Sequence, residues 1–338
     1  MFEQKTIYDV VGIGNAMIDV LGKVSDKFLT DRGFQKGRMT LVDAQTAGKI
    51  YADMDPEREV SGGSAANIVA GLASLGSDCA FIGKVYDDEL GQTFRRDIGA
   101  AGIDFDTPPL KSGPSTGRSI VLVTPDAERS MFTYLGAATR LTPDDIDENI
   151  IKASKYTFLE GYLWDSEGAR QALLRAADLA HKYGRKVAFT LSDVSCVLSH
   201  RQELLKFVDK HVDILFANED EIKAFFKETD LMPALDKLKN IVEIGAVTRN
   251  AQGSVVVNGR IKTFVEAEEI KDVVDTTGAG DLYAAGFMHG LVNGKTLGVC
   301  ALMGGIVAGE IITHYGARPE ISLRGLIRKR LLAYTQNN

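Results

Sequence analysis

The stretch VVDTTGAGDLYAAGF, Val273 to Phe287, sets Gly278, Ala279 and Gly280 directly before Asp281 and a helix-like run. Glycines remove side-chain bulk, so a ligand can approach the backbone closely. At a helix N-terminus several N–H groups have no intrahelical partner, and they point outward toward negative charge. This arrangement suits a phosphate whose charge rises during transfer. Asp281 stands beside that anion site, where a carboxylate can take a proton from an attacking hydroxyl. Without such a task a carboxylate there is repulsive. The same residues also fit a plain turn with Asp281 as an N-terminal cap, so the rest of the chain has to decide.

Strand-like and helix-like segments alternate along most of the chain. Ile7 to Gly14 (IYDVVGIG) is a short apolar run ending in glycine, the pattern of a buried strand. Ala65, Ile68, Leu72 and Leu75 follow helical spacing, and Gly76 stands where that helix should stop. CAFIG, KVAFTLS, VDILFAN and EIGAVT read as further buried strands, and Ala169 to Ala180 as a helical stripe closed by Gly184. This predicts an α/β fold with a mainly parallel sheet flanked by helices. SVVVNGRIKTF predicts a hairpin turning at Asn258-Gly259. Two regions break the pattern, about 17–41 and about 105–135. Neither carries a helical pattern, and together they predict a small β-rich lid on a single domain spanning 1–338.

The chain has 338 residues, of which 45% are hydrophobic and 25% charged, ample for a large core. The net charge of -7 argues against nucleic acid or an anionic membrane as partner. Cys79, Cys196 and Cys300 are far apart and form no metal-ligand pattern, so the expected setting is a reducing cytoplasm. The amino-terminal MFEQKTIYDVVGIG has no signal-peptide layout, and no apolar run is long enough to span a bilayer. Two near-matches fall away. VVGIGNAM lacks the third glycine of a dinucleotide fingerprint, since Met17 stands there, and GLVNGKT is one residue short of a P-loop.

SGGSAANIVAGLASLG and DTTGAGD, in that order and at that separation, resemble the two signatures of the ribokinase-like (PfkB-type) carbohydrate kinases. The resemblance runs from about residue 6 to 325. Within the family, GNAMIDV, GGSAAN, FLEGYLWD, TLSDVS, VDILFANEDE and ITHYGARPE are similar to stretches of the adenosine kinases. It implies ATP-dependent phosphorylation of a nucleoside 5′-hydroxyl. Asp281 would be the base and Gly278, Ala279 and Gly280 the anion hole, with Arg129 meeting phosphate on lid closure. Asp19 and Asn15 would grip the sugar diol, Gly62 and Gly63 would let the sugar approach, and Asn67 would add a donor and acceptor. Tyr162 and Trp164 would supply an aromatic face for the base, while Ser195 stands where an aromatic is expected.

The resemblance also implies ATP at Asn218, Thr248, Arg249, Gly253, Gly278 and Gly280, although Asn250 replaces a glycine of the T-x-G-x-x-G pattern. Magnesium would be organised by Asn218 and Glu221 through water. Asp275 and Thr277 fall where many members bind a monovalent cation, often potassium. A nucleoside or sugar and ATP are the expected partners, for a monomer or homodimer. A kinase of ribose, fructose or 2-keto-3-deoxygluconate is the alternative. A non-catalytic nucleoside-binding regulator is the second alternative.

Overall fold

A computed structural model describes residues 6–126 and 128–337. The first five residues of the amino-terminal stretch and Ala127 of the lid stretch lie outside them. The main sheet has nine strands. Within it β1 (Tyr8–Ile13) is flanked on one side by β5 (Cys79–Ile82) and β6 (Ile103–Asp104). On the other side follow β9 (Ser154–Glu160), β10 (Lys186–Thr190), β11 (Ile214–Asn218) and β12 (Ile244–Thr248). All of these pairings are parallel. β13 (Ser254–Asn258) and β14 (Ile261–Val265) extend the sheet antiparallel. Because Asn258 pairs with Ile261, the turn residues are Gly259 and Arg260 rather than Asn258-Gly259. Gly259 takes the positive φ, +55°, that favours glycine.

Alternation along the strands divides the core in two. Phe158, Ala188 and Phe216 face the side covered by the helices Ser64–Leu75 and Ala279–Val292. Leu159, Phe189 and Leu215 face the side covered by Glu167–Lys182 and Val194–His211. Both faces being buried explains why these strands read as continuous apolar runs.

The second sheet has five strands in the order β3 (Met39–Leu41), β8 (Arg129–Tyr134), β7 (Gly117–Val123), β2 (Met17–Lys23) and β4 (Arg58–Gly62). It departs from the expected lid in three ways. β4 falls outside both predicted segments, because its sequence REVSG is polar and its first two residues are exposed. A short helix, Asp26–Asp31, occupies a region expected to hold none, with Ser25 capping its first turn and Leu29 buried. Residues 105–116 stay outside this sheet, so the second lid segment joins it at Gly117 rather than at about 105. Among the described residues, no helix is long and apolar enough to cross a membrane, and the three cysteines are free and buried.

The helix Ala279–Val292, which starts at the glycine-rich loop, packs closely on its neighbours. A Cβ at Gly286 would lie 2.6 Å from the Met303 carbonyl oxygen of the adjacent helix, Leu297–Ile311. On the other side, a Cβ at Gly71 would lie 2.7 Å from Leu282. These glycines let backbones approach at the depth the site requires. Gly286→Ala should therefore destabilise the protein by about 1–3 kcal/mol through overpacking. Urea unfolding measures this, and an unchanged midpoint would show that the two helices part without cost.

Candidate active site

The parallel strands all end on one edge. Register pairs Ile13 with Leu159, Thr190 with Glu160, and Asn218 with Thr248. The residues that follow these ends, with the second sheet and the start of the Ala279–Val292 helix, line one cavity of about 1160 Å³. A crevice outside the carboxyl ends of the strands is where open α/β sheets place ligands. This one exceeds the usual volume of a single small-ligand pocket.

Asp281 enters the cavity in the first helical turn. Its carboxylate accepts from the Ser64 hydroxyl at 2.7 Å and from the Asn67 amide at 3.0 Å. Burial raises its pKa above the usual carboxylate range, against the pull of those two donors and of Arg318. Gly278 caps the helix at φ +75°, and a Cβ there would meet Ala317 at 2.6 Å. A Cβ at Gly280 would meet nothing within 4 Å, so its side faces open space. The Ala279 N–H is turned back to the Thr276 carbonyl at 3.2 Å. The outward donors among the described residues are therefore the N–H groups of Gly278, Gly280 and Asp281, a set shifted from the expected Gly278–Gly280 trio.

Asp19, on β2, and Asn15 and Asn67 line the same cavity. Burial pushes the Asp19 carboxyl up to about 7, moderated by Arg318. Gly62 plays a different part from the one expected. It does not line the cavity, and a Cβ there would sit 2.3 Å from the Asp19 carboxylate. Its missing side chain makes room for Asp19, not for the ligand. Gly63, at φ +102°, does line the cavity, and a Cβ there would collide with the Asn15 carbonyl at 2.0 Å. Asn67 holds Asp281 through its amide nitrogen and leaves Oδ1 buried without a partner among the described residues.

Two organising residues were missed in the sequence. Glu160 is fully buried at the end of β9. Its carboxylate accepts from the Asn15 N–H at 2.7 Å, the Asn15 amide at 2.6 Å and the Ala65 N–H at 2.7 Å. Burial raises it to about 7. Arg318 lies beneath Asp19 and Asp281 and donates to the Ser61 carbonyl, the Ala66 carbonyl and the Ser61 hydroxyl. Burial lowers its pKa to about 10, a fall limited by Asp19 and Asp281. A carboxylate closing an apolar strand and an arginine inside ITHYGARPE were the available signals.

The aromatic pair splits. Gly161–Asp165 is a 3-10 turn, in which residues three apart share a face. Tyr162 and Asp165 line the cavity, while Trp164 is buried against Phe189 and Phe207 and donates to Glu203. Trp164 is core, not a binding residue. Ser192 fixes Tyr162 at both ends: its hydroxyl accepts from the Tyr162 N–H at 3.2 Å, and its carbonyl accepts from the Tyr162 hydroxyl at 3.4 Å. Ser192 does this at a φ of +72°, rare for a residue other than glycine. Ser195 lines the cavity beside them.

At the far end, Asn218 caps the helix Glu219–Phe226 in a reciprocal box with Glu221. The Asn218 N–H and amide donate to the two Glu221 oxygens at 2.9 and 2.6 Å, and Asn218 Oδ1 accepts from the Glu221 N–H. Burial raises Glu221 to about 7. Each Glu221 oxygen keeps a lone pair that a metal-bound water can use, so the pair fits a water-held magnesium and not a tight protein cage. Thr248 and Gly253 line this end. Asn250 takes a left-handed φ of +50°, the conformation a glycine would supply and one asparagine tolerates. Arg249 is not on the lining; it bonds Glu219 and Gln252 instead.

Arg129 and Asp275 also differ from expectation. Arg129 pairs with Asp275 at 2.8 Å and donates to the Thr276 hydroxyl, joining the second sheet to the glycine loop. Asp275 accepts in addition from the Thr277 and Gly316 N–H groups. With its charge met by Arg129, Asp275 does not fit a monovalent-cation ligand, and Arg129 is not a free phosphate binder. Thr277 lines the cavity with a buried hydroxyl that has no partner among the described residues.

The pattern of the pfkB family carbohydrate kinases matches residues 53–323. A crystal structure of a probable sugar kinase protein from Rhizobium etli CFN 42 is 42% identical, covers 97% of this chain and 99% of its own, and superposes with a TM-score of 0.92. The adenosine kinase from Sinorhizobium meliloti is 46% identical over 96% of this chain and 99% of its own, with a TM-score of 0.90. A 5-dehydro-2-deoxygluconokinase of Geobacillus kaustophilus is 28% identical over 265 residues, 75% of this chain and 79% of the relative. The fold is thus that of the ribokinase-like kinases, and the activity is transfer of a phosphoryl group to a hydroxyl of a carbohydrate or nucleoside. The chain belongs to the pfkB family of carbohydrate kinases.

Proposed function

We propose that this kinase phosphorylates the 5′-hydroxyl of a nucleoside, adenosine foremost, with ATP as donor. One observation carries the choice of acceptor. Alongside Asp19, the second sheet and the residue that follows β8 present Met17, Met39, Leu41, Met131 and Leu135 to the same cavity that Tyr162 lines, and Leu41 remains 54% exposed. A flat nucleobase would bury that apolar surface, whereas a free sugar would gain little from it. Charge points the same way. Arg129 is the one basic residue among the described lining, and Asp275 already neutralises it. Asp19, Glu160, Asp165, Asp193, Glu221 and Asp281 are all acidic. Such a wall repels a sugar acid or sugar phosphate as acceptor. The 46% identical adenosine kinase supports the same choice.

In the proposed reaction Asp19 accepts hydrogen bonds from the ribose diol and places the 5′-oxygen before Asp281. Asp281 takes the hydroxyl proton as that oxygen bonds the γ-phosphorus and the bond to the bridging oxygen breaks, leaving ADP. The N–H groups at the helix start meet the charge of the transferring group. Magnesium, held through water near Asn218 and Glu221, would neutralise the donor's phosphate charge. Arg129 clasps the second sheet over the site through Asp275, which excludes water from the reacting groups.

Two results follow. In an ADP-release assay with ATP and magnesium, adenosine should exceed ribose, fructose and 5-dehydro-2-deoxygluconate in kcat/KM by about a hundredfold or more. A sugar or sugar acid used better than adenosine would overturn the acceptor assignment. The second result concerns pH. Asp281 must be ionised to act, and burial raises it while pushing Asp19 to about 7. Acceptor kcat/KM should therefore fall as pH drops through about 7, where an ordinary carboxylate would sustain it to about 4. A profile flat from pH 8 to 5 would contradict an acceptor site that depends on an ionised Asp19.

A further inference from the structure

At the Tyr162 end the cavity is walled by side chains that accept hydrogen bonds. Tyr162 and Asp165 stand three apart in the 3-10 turn, so a ring and a carboxylate face the same space. The Val194–His211 helix contributes Ser195 and Ser199 to the same lining. Asp193 also lines the cavity, but one of its oxygens is spent capping that helix at the Cys196 N–H. Asp165 differs. His200, from the same helix, lies with Nε2 at 2.6 Å from Asp165 Oδ1. A carboxylate only accepts, so this ring nitrogen carries the hydrogen. Asp165 Oδ2 has no partner among the described residues, and the side chain is 48% exposed. Among the described residues, no lysine or arginine lines this end.

We propose that Asp165, oriented by His200, is the specificity-determining residue that reads the exocyclic amino group of the acceptor base. This rests on the nucleoside reading above and deepens it. The Tyr162 ring, pinned by Ser192, takes the face of the base, and Asp165 takes its amino edge. A carboxylate meets an amino group with a hydrogen bond and meets a ring carbonyl with repulsion between two acceptors. Asp165 therefore separates adenosine from inosine, and adenosine from purine riboside, which lacks any group at that position. Asp165 binds the substrate's edge; His200 is a positioning residue that acts through it.

The test compares kcat/KM for adenosine, purine riboside and inosine in the wild type, Asp165→Ala, Asp165→Asn and His200→Ala. A hydrogen bond to a charged group is worth roughly tenfold to a hundredfold in such a ratio. The wild type should prefer adenosine to purine riboside by about that factor, and Asp165→Ala should bring the ratio close to one. Asp165→Asn, whose amide can also donate, should raise inosine relative to adenosine. His200→Ala should lower the adenosine-to-purine-riboside ratio in part, mainly through KM. Asp165 is exposed, so thermal unfolding should show these variants folded. An adenosine-to-purine-riboside ratio that survives Asp165→Ala would overturn the assignment while leaving the nucleoside reading intact. A wild type that turns over none of the three nucleosides would overturn both.

Discussion

Carboxylates that would repel one another are held together at the edge of the main sheet, and the site is built around keeping them there. Asp19, Glu160, Glu221 and Asp281 each lose water, and each is raised above its ordinary range by that loss. Arg318 is the buried cation beside two of them. The rest of the compensation comes from neutral donors: Ser64 and Asn67 on Asp281, the Asn15 and Ala65 backbone on Glu160, and Asn218 on Glu221. The fold keeps protons that an unfolded chain would release between about pH 4 and 7. Raising pH through that window therefore removes stability from these groups.

This constraint explains where the glycines sit. Gly62 clears space for the Asp19 carboxylate, Gly14 for Glu160, and Gly278 for the loop against Ala317. It explains the two sheets as well. Parallel register brings Asn15, Glu160, Ser192, Asn218 and Thr248 to one edge, and β2 carries Asp19 up from that edge into the second sheet. Arg129 then ties the second sheet back to the glycine loop through Asp275. Asp19, Asp281 and the glycine loop are thereby linked by side chains rather than by flexible loops.

The parts legible in the sequence were those whose logic is local. Gly278 to Asp281 could be read because a helix start, its bare backbone and its acid are consecutive residues. The buried parallel strands showed as apolar runs, while Asn218 and Glu221 came only from the family resemblance as a magnesium-organising pair, not as the capping box they form. What stayed hidden depended on distant partners or on a turn's handedness. Glu160 gains meaning only beside Asn15, across two paired strands. Gly62 looked like ligand space because the side chain filling it comes from another strand. Trp164 looked equivalent to Tyr162 until the 3-10 turn sent one inward and the other to the cavity. β4 was missed because its exposed start reads as polar loop.

The central claim is that Asp281 removes the proton from the acceptor hydroxyl. Rapid-quench single-turnover measurement of phosphoryl transfer to adenosine, in the wild type and in Asp281→Asn, tests it most directly, with nucleotide and adenosine affinity measured on the same samples. Asp281→Asn keeps shape and the hydrogen bonds available to an amide while removing the base. The account predicts a transfer step slowed by about a hundredfold to ten-thousandfold, with both ligands still bound. A transfer step within a few-fold of wild type would show that the proton leaves by another route.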